Sequence, residues 1–217
     1  MLSEELSARL AWERKFHARG HLRVAGLDEA GRGPWAGPVV AAAVILPAVF
    51  EFDLPIVDSK KLAPRRREKV FSALAALEGI EVGVGRVDAD EIDRINILRA
   101  TRRAMEAALS SLAPPPSALL IDGLTLPAWA RLPQEALCRG EDRSVSIAAA
   151  SIIAKVTRDR IMIDYDRVYP GYGFAGHKGY GTAAHRAGLE RLGPCPIHRR
   201  SFAPIRALLQ AEREAAA

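Results

Sequence analysis

With 217 residues, 49% of them hydrophobic, the chain can bury a substantial core and is too apolar for intrinsic disorder, so one domain is the simplest expectation. No apolar run approaches the roughly 18 residues of a membrane span, and the opening MLSEELSARLAWERKFHARG lacks the apolar centre of a signal peptide, which makes the cytoplasm the default location. Thirty-one Lys and Arg against 26 Asp and Glu leave a formal charge of +5, which fits a polyanionic partner such as nucleic acid.

Residues 1–20 predict an amphipathic helical extension, with Leu6, Leu10 and Phe16 on one stripe. HLRVAGLDEAG then predicts a strand. The turn GRGPWAGP leads into a second strand, VVAAAVIL, closed by Pro47, so the two form a hairpin. From Lys60 to Leu77 the pattern is helical, with Ala63-Pro64 at the start and Val70, Leu74 and Leu77 on the apolar face. IEVGVGRVD alternates as a strand. DADEIDRINILRATRRAMEAALSSL predicts one long helix through Ile92, Ile95, Leu98, Met105, Leu109 and Leu112, stopped by Pro114-Pro115-Pro116. SALLIDG is a short buried strand ending on Asp122, and SIAAASIIAKVTRDRIMIDYDRVY is a helix. The remainder is first rich in loops and then helical. Strands alternating with helices indicate an α/β layered fold.

Acidic residues gather at the strand ends and turns. Asp28 and Glu29 close one apolar strand, Asp122 closes another, and Glu141-Asp142 precedes a helix near Ser146. Singly, each reads as a turn residue or a helix cap. Brought together, they would repel too strongly to stay ionised without a cation, and oxygen ligands favour Mg²⁺ or Mn²⁺ over zinc. A pair of such ions can activate a water and stabilise the leaving oxygen in phosphodiester hydrolysis. Gly31, Gly33 and Gly37 invite comparison with a dinucleotide-binding loop, but that loop opens a helix, and here VVAAAVIL follows. Cys138 and Cys195 are far apart and read as small apolar fillers. The basic clusters at 58–69, 99–105, 154–160 and 198–200 each suit a solvated helix face; together, beside a carboxylate site, they suggest a binding surface.

The segments GLDEAGRGPWAGPVVAAAVIL, DSKKL, EIDRINILRAT, LLIDG, SIAAASIIAKVTRDR, YGFAGHKGYGT and HRRSF resemble, in order and spacing, the signature segments of bacterial ribonuclease HII, from about Val24 to about Arg206. The resemblance implies an RNase H-like fold, a mixed central sheet flanked by helices with a helical C-terminal portion. On it, residues 21–211 form the catalytic domain, an α/β core to about 165 and a substrate-closing portion over about 166–211, with 212–217 a tail. The implied activity is cleavage of RNA in RNA/DNA hybrids and incision 5′ of single ribonucleotides in duplex DNA. Two divalent ions, Mg²⁺ or Mn²⁺, would act in it, leaving 3′-hydroxyl and 5′-phosphate ends.

Carried over by position, the metal-binding acids are Asp28, Glu29 and Asp122, with Glu141 as the fourth and Asp142 as its substitute. Gly31, Arg32, Gly33 and Tyr180 correspond to the elements that read the 2′-hydroxyl. Glycine backbone can approach a sugar edge, and a tyrosine can stack on the next sugar. Ser59, Lys60 and Lys61 of DSKKL, with Arg32, Lys155, Arg158 and Lys178, are implied phosphate contacts, which fix position without reading sequence. Lys155 and Asp159 lie i, i+4 on one helix and are expected to pair structurally. The expected partners are hybrid and ribonucleotide-containing duplexes, with no membrane and a monomeric state. A DNA nuclease of the same superfold would share the acids without GRG and Tyr180, and a non-catalytic hybrid-binding protein would dispense with the acids.

Overall fold

The computed structural model describes residues 4–47, 59 and 62–215. Two short helices, α1 (Glu4–Arg9) and α2 (Ala11–His17), precede a sheet made of β1 (Val24–Ala30), β2 (Val39–Ile45), β3 (Glu81–Val87), β4 (Ala118–Asp122) and β5 (Gln134–Leu137). The spatial order is β3-β2-β1-β4-β5. β1 to β3 form an antiparallel meander, whereas β4 and β5 continue the sheet parallel to β1. The sheet is therefore mixed and flanked by helices, as expected.

α5 (Ile97–Ser110) packs on β2 and β3, and α6 (Val145–Val168) covers β1 and β2. Two covered faces explain why β1 and β2 read as continuous apolar runs rather than alternating ones. On the α5 side, Leu27, Ala41, Ile45, Met105, Leu109 and Leu119 form the core, with Ile92 from α4 (Ala89–Ile95). On the α6 side, Ala42, Val44, Ala148 and Ile152 meet Val70 and Leu74 of α3 (Pro64–Ala75). Each fully buried Leu or Ile contributes about 1.5–3 kcal/mol, before the cavity cost of removing it. A Cβ on Gly26 would lie 2.2 Å from the carbonyl carbon of Ser146, so glycine there lets the first turn of α6 rest directly on β1.

The C-terminal portion comprises α7 (Phe174–His177), α8 (Ala183–Leu192) and α9 (Ala203–Ala215). It packs through Phe174, Leu189, Ile197 and Ile205 against Ala36 and Met162. Among the described residues, no helix is long and apolar enough to cross a membrane.

Several expectations need correction. The single N-terminal helix is two, broken at Leu10; Leu10 and Phe16 are buried as expected, and the Leu6 side chain lies outside the described residues. The long helix over DADEIDRINILRATRRAMEAALSSL is split at Asn96, whose φ of 68° is left-handed and whose side chain caps α5 by accepting from the Arg99 amide at 3.1 Å. The Asn96 side chain caps well, so this residue ends one helix and starts the next while the apolar spacing runs on unbroken. β5 is a strand that the sequence pattern does not signal, and α9 runs to Ala215, into the expected tail.

Candidate active site

β1 and β4 pair in parallel as far as Leu27 opposite Ile121, so the next residues, Asp28 and Asp122, emerge together at the carboxyl ends of neighbouring strands. That edge is where open α/β sheets place their ligands. Asp28 is 4% exposed and accepts from the Glu29 amide at 2.7 Å. Burial, together with the charges of Glu29 and Asp122, pushes its carboxyl well above the usual carboxylate range, against a hydrogen bond from Ser151. Asp122 accepts from the Gly140 amide at 2.7 Å, which draws the 3-10 turn Gly140–Asp142 against the end of β4. On that turn Glu141 is buried and Asp142 is exposed.

Among the described residues, no group of His, Cys, Asp and Glu side chains already forms a metal cage. The donor set nevertheless suits a hard cation. Its donor atoms are carboxylate oxygens, and the ionised form of Asp28 is disfavoured by burial and by two acidic neighbours, a cost that a cation would offset.

Immediately beyond the acids comes the Gly31–Gly33 loop. A Cβ at Gly31, where φ is +96°, would lie 2.0 Å from Arg158 Nε, so no side chain fits there. A Cβ at Gly33 would meet Tyr180 Cε1 at 4.0 Å, so the loop and the tyrosine are neighbours. Arg32 pairs with Glu29 at 3.3 Å, which ties the loop to the acids. Tyr180 is 44% exposed.

Two buried arginines hold this loop. Arg199 donates to the carbonyls of Gly37 at 3.0 Å, Arg32 at 2.9 Å and Gly31 at 2.5 Å. Arg158 donates to Pro38 at 2.9 Å, Lys178 at 2.9 Å and Ala36 at 3.1 Å. Burial lowers Arg158 to about 10 and Arg199 to about 9, and both stay charged at neutral pH. Arg158, expected among the phosphate contacts, has its guanidinium facing backbone carbonyls inside the protein. Ser59, also expected among the phosphate contacts, is 3% exposed, and its hydroxyl meets Ser151 Oγ at 2.9 Å.

Tyr180 is held from below by a histidine relay. The Cys195 amide donates to His198 Nδ1 at 2.9 Å, which leaves the His198 proton on Nε2. That proton faces His185 Nε2 at 3.0 Å, so His185 carries its own on Nδ1 and donates to the Tyr180 carbonyl at 3.0 Å. Burial lowers both histidines to about 4.

Of the expected phosphate contacts, Lys155 and Lys178 line a groove with Tyr180, Arg67 and Arg160. Lys155 pairs with Asp159 at 2.6 Å, as its spacing predicted, and its Nζ lies 5.9 Å from the Tyr180 ring. Lys60 and Lys61 lie outside the described residues. Arg199 and the histidine relay escaped the sequence reading. Nothing local in HRRSF tells which of its side chains turns inward.

The chain is 53% identical over 208 residues to a ribonuclease HII of Syntrophotalea carbinolica, covering 95% of this chain and 97% of that one. It is 55% identical over 196 residues to a ribonuclease HII of Geobacter sulfurreducens, covering 90% and 88%. Its fold is similar to the crystal structure of the ribonuclease H2 from Pyrococcus horikoshii OT3, with a TM-score of 0.69, 29% identity and coverage of 88% of this chain and 99% of that chain. The ribonuclease HII family profile matches residues 25–205. With the acids at the strand ends and the fold of this group, the RNase H-like expectation holds and the non-catalytic reading falls: the chain belongs to the ribonuclease HII family and is a ribonuclease.

Proposed function

We propose that this ribonuclease acts on RNA/DNA hybrids and also incises duplex DNA on the 5′ side of a single embedded ribonucleotide, leaving 3′-hydroxyl and 5′-phosphate ends. The observation that carries the reading is the direct continuity of the acidic site with a backbone loop faced by Tyr180, joined through the Arg32–Glu29 pair. A ribonucleotide differs from its deoxy counterpart by one hydroxyl, and the Gly31–Gly33 backbone offers N–H and C=O groups where no side chain keeps a sugar away. Tyr180 supplies a ring for the adjoining sugar.

Asp28, Glu29, Asp122 and Glu141 would hold two divalent cations, Mg²⁺ or Mn²⁺, with Asp142 as the substitute for Glu141. When bound, such ions polarise the phosphate and make water a competent nucleophile near neutral pH. The buried Glu141 suits ligation better than the exposed Asp142. Lys155 and Lys178, with Lys60 and Lys61, would meet the backbone phosphates, giving salt-dependent but sequence-independent affinity. Because the loop that reads the 2′-hydroxyl adjoins the acids, selection can act on the transition state as well as on binding.

The test is cleavage of an end-labelled DNA duplex carrying one ribonucleotide, with Mg²⁺ or Mn²⁺, beside an all-DNA duplex and an EDTA control. The expected result is metal-dependent incision only 5′ of the ribonucleotide. Tyr180→Ala should lower discrimination on the order of tenfold while duplex binding changes little. Cutting of both duplexes by the wild-type enzyme would favour a general DNA nuclease of the same superfold, and equal loss of binding and selection in Tyr180→Ala would remove the sugar-reading role.

A further inference from the structure

The N-terminal helices precede the region matched by the family profile, and the sequence presents them as an extension. One of their side chains nevertheless reaches the turn that bears Glu141, and another reaches the start of α6 just beyond it. Glu13, on α2, is 4% exposed. Its Oε1 accepts from Ser144 Oγ at 2.6 Å, Ser146 Oγ at 2.7 Å and the Ser146 amide at 2.9 Å. Ser144 is the N-cap of α6, and its own Oγ accepts from the Ile147 amide at 3.2 Å. Glu13 thus meets a second amide of the same first turn, one that the local cap leaves without an intrahelical acceptor. A carboxylate is also the charge that a helix N-terminus favours.

Arg9, on α1, makes the companion contact by donating from Nη2 to the Glu141 carbonyl at 2.7 Å. On the other side of the turn, the Gly140 amide is held by Asp122. The backbone that carries Glu141 is therefore fixed three ways: to β4 by Asp122, to α1 by Arg9, and through the start of α6 to α2 by Glu13. If α2 served only to cover the sheet, an apolar side chain at position 13 would suffice. A buried carboxylate with three donors is costly unless its directional contacts are used.

We propose that Glu13, assisted by Arg9, is a positioning residue that presents Glu141 to the metal beside Asp122, so that the N-terminal helices are part of the active-site framework. This rests on the reading of Glu141 as a metal ligand.

The test combines calorimetric titration of Mn²⁺ into the full-length protein without substrate, steady-state kinetics on the ribonucleotide duplex, and thermal melting. The variants are Glu13→Ala, Glu13→Gln, Arg9→Ala, Glu141→Ala and, as a packing control on the same helix, Phe16→Leu. Glu13→Ala should weaken Mn²⁺ binding and lower kcat, each on the order of tenfold or more, with KM for the duplex nearly unchanged. Glu13→Gln, which can still accept from the Ser146 amide, should recover much of the loss. Phe16→Leu should lower Tm without weakening Mn²⁺ binding. Should Glu13→Ala prove insoluble, Arg9→Ala serves as the measurement, with the same direction of change. Mn²⁺ affinity in Glu13→Ala equal to that of Phe16→Leu would overturn the proposal, as would wild-type Mn²⁺ affinity in Glu141→Ala. Wild-type protein that neither binds Mn²⁺ nor cuts would sink the functional reading itself, a result separate from either.

Discussion

The two walls of the site handle buried charge in opposite ways. On the sheet side, Asp28, Glu29 and Asp122 crowd like charges together, and Asp28 is driven toward its protonated form. On the C-terminal side, Arg158 and Arg199 are just as deeply enclosed, yet each guanidinium faces three backbone carbonyls. The acidic wall sets carboxyl groups beside one another, whereas in the basic wall every guanidinium is met by carbonyl oxygens. Groups of the first kind serve chemistry at the expense of stability, and groups of the second kind hold a shape.

The contrast breaks most sharply at Asp28. Asp28→Asn should abolish metal-dependent cleavage, by about a thousandfold or more, while stabilising the metal-free protein by about 1 kcal/mol, because a neutral amide escapes the cost of burying a carboxyl group beside two other acids. Single-turnover cleavage and thermal melting of the same preparation check both halves, and a destabilised Asp28→Asn protein would contradict the account of the acidic wall. Arg199→Met should do the reverse. Losing the donors to Gly31, Arg32 and Gly37 should cost about 3 kcal/mol by denaturant unfolding, and ribonucleotide discrimination should fall with the loop that Arg199 holds. Discrimination unchanged at that stability loss would separate the arginine from recognition.

A smaller effect sharpens the comparison through pH. His185 and His198 are held at about 4, below the unfolded value of 6.5. With folded values depressed, the unfolded chain takes up protons first as pH falls. Stability is therefore full above about 6.5 and is lost progressively as pH falls to about 4. Unfolding midpoints measured across this window should fall with pH, and because His185 donates to the Tyr180 carbonyl, the loss should start in the recognition wall. A flat profile would show that neither imidazole gains a proton on unfolding.

The acidic wall was largely legible in the sequence, because strands buried on both faces read as unbroken apolar runs and an acid at the end of such a run stands out. The basic wall was not. The resemblance implied Arg158 and Ser59 as phosphate contacts, and their burial depends on partners such as Pro38 and Ser151, far away in the chain. Glu13 was hidden for the same reason, as one acid among polar residues on a short helix. β5 was missed because QEAL is a four-residue edge strand without alternation, and the break at Asn96 because periodicity reports which side faces the core, not the continuity of the axis.

Arg158 has a consequence for engineering. It sits on α6 but holds the carbonyls of Ala36 and Pro38 on one loop and of Lys178 on another, while a Cβ at Gly31 would collide with its side chain. On the proposed sugar-reading role, the glycine loop is therefore not a cassette. Moving the glycine loop alone into another nuclease scaffold would leave its carbonyls without donors, and a working transplant must bring the long helix, the tyrosine turn and the segment bearing Arg199 as a single block.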